Sequence, residues 1–331
     1  MKVAERIHQI PTPTPFYVGV INSYLIDDEP LTLVDSGLKT DEAEAVLHSG
    51  LKTLGFAFGD IEQLVVTHSH LDHYGLMATI AAEGSPHVCA HPLETYDIEN
   101  PHGYNAPDDL RNARTEKFLR KSGLPEESFE LILVRHPIFS QLRDPIEVTH
   151  RVEDGDMLKL KHRELTVIHC PGHSPGMINL YDPAAKVLFS GDNILKHISP
   201  VPLLNFPRDP SVPRRHSLAD YIETIRRLRA FDVELVLTGH GELIRDLRGI
   251  IDSIIVHHEV RKRKVLRFLD GSPKTAYEVC CHLFPEIEPY HIYLGMSEAV
   301  GHLDLLEMEG VVESEERDGR IYHVSKAGPE R

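Results

Sequence analysis

The residues best able to do chemistry sit in one short run, His68-Ser69-His70-Leu71-Asp72-His73. It follows residues 61–67, an apolar, β-branched stretch that reads as a buried strand. At the extended end of a strand, side chains two apart point the same way, so His68 and His70 can share one ion. Asp72 continues on that side, and His73 enters from the start of the next helix. One segment can therefore supply ligands to two adjacent ions. Three other strand-like runs also end in metal-competent side chains: His173 within Cys170-Pro171-Gly172-His173-Ser174-Pro175-Gly176, Asp192 after Ser190-Gly191, and His240 within Thr238-Gly239-His240-Gly241. Each piece alone is weaker than the set: the HxHxDH run has a minor reading as a polar loop, and a lone Gly-His or Gly-Asp after a strand is more often a plain turn. Four such pieces, all at strand C-termini, point to a metal centre. Two cations about 3.5–4 Å apart polarise a carbonyl or phosphoryl oxygen and bring a shared water to a pKa of ~7. The expected chemistry is hydrolysis, with no Ser-His or Cys-His nucleophile required.

The elements that must position these residues alternate between strand and helix. Strand patterns cover 16–26, 31–35, 61–67, 87–90, 164–170, 177–181, 187–190 and 233–238. Helical patterns cover 41–54, whose N-terminus carries Thr40 and acids, then 76–83, 218–230 and 244–269. Residues 92–142 form a more polar helical insert broken at Pro101, Pro107 and Pro125, long enough to be expected to cover a site. Residues 199–213 hold five prolines and read as a loop. From Gly271 the order becomes helix, helix, hairpin, with Asp318-Gly319 as the turn signal. Together with the preceding long helix, this is the order of a winged-helix module. The expected division is a catalytic domain over 1–248 and a winged-helix-like domain over 249–331.

Composition bounds the alternatives. The 331 residues fit about two domains, and the apolar (41%) and charged (26%) fractions are those of a folded globule. No apolar run is long enough to span a bilayer, and the first residues lack a secretory h-region. Four cysteines without a CxxC pair indicate neither a zinc ribbon nor a disulfide framework, so a reduced, cytoplasmic protein is expected. The formal charge of −16 disfavours non-specific nucleic-acid binding, whereas 22 histidines favour metals.

The order HxHxDH, His, Asp, His resembles the metallo-β-lactamase superfamily, over about residues 1–245. That resemblance implies an α/β fold, an αββα sandwich with its metals at one edge. It further implies that His68, His70 and His173 hold one ion, that Asp72, His73 and His240 hold the second, and that Asp192 bridges them. Asp72 would also orient the nucleophilic water. Asp35, in Val34-Asp35-Ser36-Gly37, matches a family Asp beside the site, although a turn-forming role explains it equally well. Antibiotic-hydrolysing members commonly carry Cys at the position of Asp192, and flavin-linked di-iron members carry Glu at that of His70, so both activities are disfavoured. The segments GDNILKHISP, LRKSGLPEE and LADYIETIRRLRAFDVELVLTGHGE are closer to glyoxalase II and to the β-lactamase-like branch with a C-terminal winged helix, which includes endoribonucleases.

The expected function is therefore dinuclear metal-dependent hydrolysis of a thioester or acyl ester, hydroxyacylglutathione hydrolase-like in chemistry. The alternatives are a metal-dependent endoribonuclease acting on single-stranded RNA and, last, a non-catalytic winged-helix regulator. A thiolate leaves unaided, whereas a ribose alkoxide needs a proton donor; His197 is the one candidate donor, with an ordinary solvated histidine as the competing reading. Zinc is the default metal, with iron and manganese open. The expected partner is a small-molecule substrate, and a homo-oligomer is compatible with the sequence. Residues 289–316 contain no Lys or Arg and seven acids, which disfavours DNA reading by that helix. Its apolar residues Ile292, Leu294, Ala299, Leu303 and Leu306 read as a core stripe. The basic run Arg261–Lys264 reads as a solvated helix surface.

Overall fold

A computed structural model describes residues 1–101, 110–129, 139 and 141–326. Seven strands form one sheet in chain order: β1 (Lys2–Ala4), β2 (Ile7–Thr12), β3 (Ile21–Ile26), β4 (Thr32–Val34), β5 (Gln63–Val65), β6 (His87–Ala90) and β7 (His150–Arg151). Pairing is antiparallel as far as β4 and parallel from β4 to β7. A second sheet has the order β12-β11-β10-β9-β8, from β8 (Met157–Lys159), β9 (Glu164–His169), β10 (Ile178–Asp182), β11 (Val187–Gly191) and β12 (Leu235–Thr238).

Strand alternation divides the core into layers. Leu33 and Leu64 face outward onto α1 (Asp41–Thr53) through Leu47 and Leu51, and onto α3 (Met77–Glu83) through Ile80. Their neighbours Val34 and Val65 face inward, against Val167, Ile178, Phe189 and Leu237 of the second sheet. The outward residues of that sheet, Ile168, Leu188 and Val236, pack on α6 (Ser217–Leu228) and α7 (Leu247–Phe268) through Tyr221, Ile225 and Ile251. Burying each Leu or Ile of these layers contributes about 1.5–3 kcal/mol. The result is the four-layer αββα sandwich. Thr40 caps α1 by accepting from the Ala43 N–H at 3.2 Å, and Asp41, Glu42 and Glu44 complement the helix dipole.

Two local expectations change. Residues 16–20 are not strand; β3 begins at Ile21, after Gly19 turns the chain at φ 87°. The β1–β2 edge, with Ile7 and Ile10 buried, was not expected, because Pro11 and the polar residues interrupt its pattern.

The insert begins with α4 (Pro92–Glu99) and continues through α5 (Leu110–Lys121). Pro107 lies outside the described residues. The described part braces the C-terminal unit: Leu119, Leu124 and Phe129 pack with Val265, Val279 and Met296, and Lys121 pairs with Glu316 at 2.7 Å.

The C-terminal unit comprises α8 (Ala276–Leu283), α9 (Ile292–Met308) and the hairpin β13 (Val312–Arg317) with β14 (Arg320–Ser325). Asp318 and Gly319 both have positive φ at the hairpin turn. Lys274, just before α8, bridges to His323 of β14. The acids of α9 are used internally. Arg214 makes a two-pronged pair with Asp304 at 2.7 and 2.6 Å, and Arg261 lies 3.1 Å from the buried Glu298. The basic run is therefore not simply a solvated surface: Arg261 and Lys262 engage Glu298 and Glu309 of the C-terminal unit, while Arg263 and Lys264 are exposed. Leu294 also departs from the expected core stripe, being exposed. Among the described residues, no helix is long and apolar enough to cross a membrane.

Candidate metal centre

The seven side chains singled out in the sequence meet at one edge of the sandwich. His68 follows β5, and His70 stands at the N-cap of a short helix, α2 (Leu71–Tyr74), that carries Asp72 and His73. His173 occupies the turn between β9 and β10, Asp192 follows β11, and His240 follows β12. Three groups with metal-binding geometry result: His68, His70 and His173; His68, His73 and Asp192; and Asp72, His73 and His240.

In the first group, His70 Nδ1 lies 2.9 Å from His68 Nε2 and 3.0 Å from His173 Nε2. The surroundings fix where the protons are. The Thr67 hydroxyl donates to Asp35 Oδ2 at 2.8 Å, so it accepts from His68 Nδ1 at 3.1 Å. His173 Nδ1 donates to the Val201 carbonyl at 2.9 Å. Both Nε2 atoms therefore aim lone pairs at His70 Nδ1. With the His70 proton on Nε2, three lone pairs face one another, and a cation among them turns that repulsion into ligation. The donor set fits a divalent metal.

The second group follows the same rule. His73 Nδ1 donates to Asp35 Oδ2 at 2.8 Å, and His240 Nδ1 donates to the Val20 carbonyl at 3.0 Å. Their Nε2 atoms point inward, buried and without hydrogen-bond partners, as does Asp192 Oδ1. Asp72 Oδ2 lies 3.4 Å from His240 Nε2. Asp192 spans the two groups: Oδ1 lies 3.4 Å from His73 Nε2, and Oδ2 lies 3.5 Å from His240 Nε2 and 3.7 Å from His173 Nε2.

The electrostatics divide the site in two. Burial lowers the pKa of His68 and of His173, and lowers that of His70 to about 3, keeping all three neutral and able to ligate. Burial also opposes charge on His73 and His240, but Asp192 with Asp35, and Asp192 with Asp72, overcome it and raise both. For Asp72 and Asp192, burial would favour the neutral acid. His240 and His73 reverse this and hold both carboxyls below their usual range.

Asp35 is buried at φ 54°, and its carboxylate also accepts from the Thr67 N–H at 2.9 Å. An aspartate tolerates this left-handed backbone better than most residues. His197 lies outside the seven-residue cluster: its side chain is 67% exposed, and its Nε2 is 3.2 Å from Glu242 Oε1. Gly239 is required by packing, since a Cβ there would collide with Asp192 Oδ1 and lie 2.9 Å from His73 Cε1.

Sequence reasoning missed Glu94. This fully buried acid of α4 accepts from Ser69 N at 3.0 Å and from the Ser69 hydroxyl. It also accepts from Ser174 Oγ at 2.8 Å and Gly176 N at 2.6 Å. It thus ties the His68–His73 loop to the His173 turn. An acid in the first turn of a helix carries no sign of such a role, since it equally serves the dipole.

Comparison with known proteins agrees with this architecture. Residues 16–240 match the metallo-beta-lactamase superfamily. The chain is 33% identical over 322 residues to the probable metallo-hydrolase YqjP of Bacillus subtilis (strain 168), covering 96% of this chain and 97% of that protein. It is 35% identical over 182 residues to the acyl-coenzyme A thioesterase MBLAC2 of Gallus gallus, covering 53% and 55% respectively. The crystal structure of the metallo-beta-lactamase family protein TTHA1429 from Thermus thermophilus is similar at a TM-score of 0.82 and 28% identity, covering 98% of this chain and 100% of that one. The chain is a metallo-hydrolase and belongs to the metallo-β-lactamase superfamily.

Proposed function

We propose that the chain hydrolyses an acyl thioester at a two-ion centre. His68, His70 and His173 hold one ion, Asp72, His73 and His240 hold the other, and Asp192 lies between them. The observation that carries this reading is the convergence of the His68 and His173 Nε2 atoms within 3.0 Å of His70 Nδ1, with Asp192 reaching toward both groups. When bound, the ions supply an electrophile for the carbonyl oxygen and ionise water near neutral pH. Zinc suits this His/Asp set, and iron and manganese also accept it.

The protein's own residues orient and exclude. Asp35, Val201 and Val20 hold the outer nitrogens of His73, His173 and His240, so their inner nitrogens are aimed at the centre; those of His73 and His240 give up a proton when an ion binds. Asp72 is buried and held ionised, placed to accept a proton from water at the centre. Nothing in the cluster stands ready to protonate a poor leaving group, and His197 is turned to Glu242. A thiolate, with a pKa of ~8.5, leaves without such help. The thioesterase name of the relative MBLAC2 supports the same choice. RNA cleavage draws less support, because residues 289–316 carry no cation and Arg261 and Lys262 are engaged internally. We read the C-terminal helices and hairpin as winged-helix-like, serving to wall the site.

The test is a hydrolysis panel of acyl-coenzyme A thioesters, acyl-glutathione, lactones and single-stranded RNA, using protein of measured metal content with His70→Ala as control. Thioester turnover that His70→Ala abolishes is expected. Turnover of RNA alone would overturn the reading.

A further inference from the structure

A cavity of about 780 Å³ opens between the loop after Asp192, α7 and the C-terminal unit. Its volume lies within the roughly 300–1,000 Å³ of small-molecule sites. Ile198, Ile250, Ile254, Leu283, Ile287 and Leu294 give it an apolar lining. Ile198 is 45% exposed and Leu294 38%, which leaves apolar surface from both sides of the opening in contact with water. None of the seven ligand candidates lines the cavity, but its wall touches one of them through the backbone. Val201, one of its lining residues, supplies the carbonyl that holds His173, and Leu195 at its other end lies three residues beyond Asp192. The two full cations in its wall are already paired, Lys196 with Glu242 and Arg261 with Glu298. The wall also carries Glu286, Glu288 and the ring of His257, so a nucleotide phosphate would meet acids and no uncommitted Lys or Arg, whereas a hydrocarbon chain would meet the apolar side chains named above.

We infer that this cavity binds the acyl chain of the thioester, so that the C-terminal unit sets the preference for chain length; this rests on the thioesterase reading above. Each methylene buried in the transition state multiplies kcat/KM by about fourfold, so the cavity favours long chains over acetyl.

Two variants fill the cavity from exposed wall positions, Ser253→Trp on α7 and Leu294→Trp on α9. Two readouts are compared with wild type: the ratio of kcat/KM for dodecanoyl- over acetyl-coenzyme A, and direct calorimetric binding of dodecanoate. Melting curves confirm that each variant is folded. The expected result is at least a tenfold fall in the ratio and loss of dodecanoate binding in both variants. An unchanged ratio with thioesters still turned over would overturn the acyl-cavity assignment and leave the thioesterase reading standing. Dodecanoate binding that the variants abolish, with no thioester hydrolysed by metal-loaded wild type, would support the cavity and overturn the reading of the reaction. Wild type that binds no dodecanoate would overturn the proposal directly.

Discussion

Asp35 Oδ2 lies 2.8 Å from His73 Nδ1, and the same carboxylate takes both the N–H and the hydroxyl proton of Thr67. One side chain thus fixes the proton position on His73 directly and that on His68 through Thr67, which stands 3.1 Å from His68 Nδ1. Asp35→Asn replaces an all-acceptor group with one that must present N–H atoms to these donors. Removing such a partner lowers metal affinity or activity by about 10–100-fold. Metal retained against a chelator series, read by elemental analysis beside kcat/KM, checks this. Retention equal to wild type would show that Asp35 only shapes the turn.

Glu94 is expected to matter through stability before activity. Glu94→Gln keeps the size but leaves one oxygen and an NH₂ facing four donors from Ser69, Ser174 and Gly176. Unsatisfied buried donors cost about 1–3 kcal/mol each. The urea midpoint should fall by an amount equivalent to about 2–4 kcal/mol, with weaker metal retention because both ligand loops loosen. Unchanged midpoint and retention would contradict the assignment.

Acid should loosen the junction between α7 and α9. Burial first, then neighbouring positive charge from His302, His257 and Arg261, lowers His258 to about 3, and burial lowers His302 to about 4. Both are neutral when folded and titrate near 6.5 when unfolded. Between about pH 4 and 6.5 the unfolded chain binds more protons, so stability falls as pH falls through this window. The two together contribute a slope of up to about 2.7 kcal/mol per pH unit. Glu298, whose carboxyl burial raises, takes up its proton at a higher pH when folded than when unfolded and opposes part of this slope. Denaturation midpoints from pH 7 to pH 5 measure the slope. His258→Gln should reduce it by about 1.4 kcal/mol per pH unit, and identical slopes would contradict the account.

The second group should load metal in competition with protons. His73 and His240 are raised above the usual histidine range by their carboxylate neighbours, so a cation must displace protons there. Lowering the pH from 8 to 6 should weaken binding of one metal equivalent more than the other, as read by competition with a chelating dye. Two equivalents weakening in parallel would contradict the division of the site.

The convergence of these side chains was largely legible in the sequence, because they are rare residue types placed directly after apolar strands. His68, His173, Asp192 and His240 each announce themselves in that way. What was not legible depends on partners distant in the chain. Glu94 looks like any acid in the first turn of a helix until Gly176 is folded against it. The basic run looked solvated because Glu298 and Glu309, which engage Arg261 and Lys262, belong to another helix and its end. Residues 16–20 carry strand-forming side chains, yet Gly19 at φ 87° turns them out of the sheet.

Anomalous diffraction from zinc-loaded crystals tests the central claim most directly. Two peaks are predicted, one about 2.0–2.2 Å from the His68, His70 and His173 nitrogens and one at like distance from Asp72, His73 and His240, with Asp192 between them. Crystals of metal-loaded protein in which these side chains keep their places and no peak lies among them would contradict it.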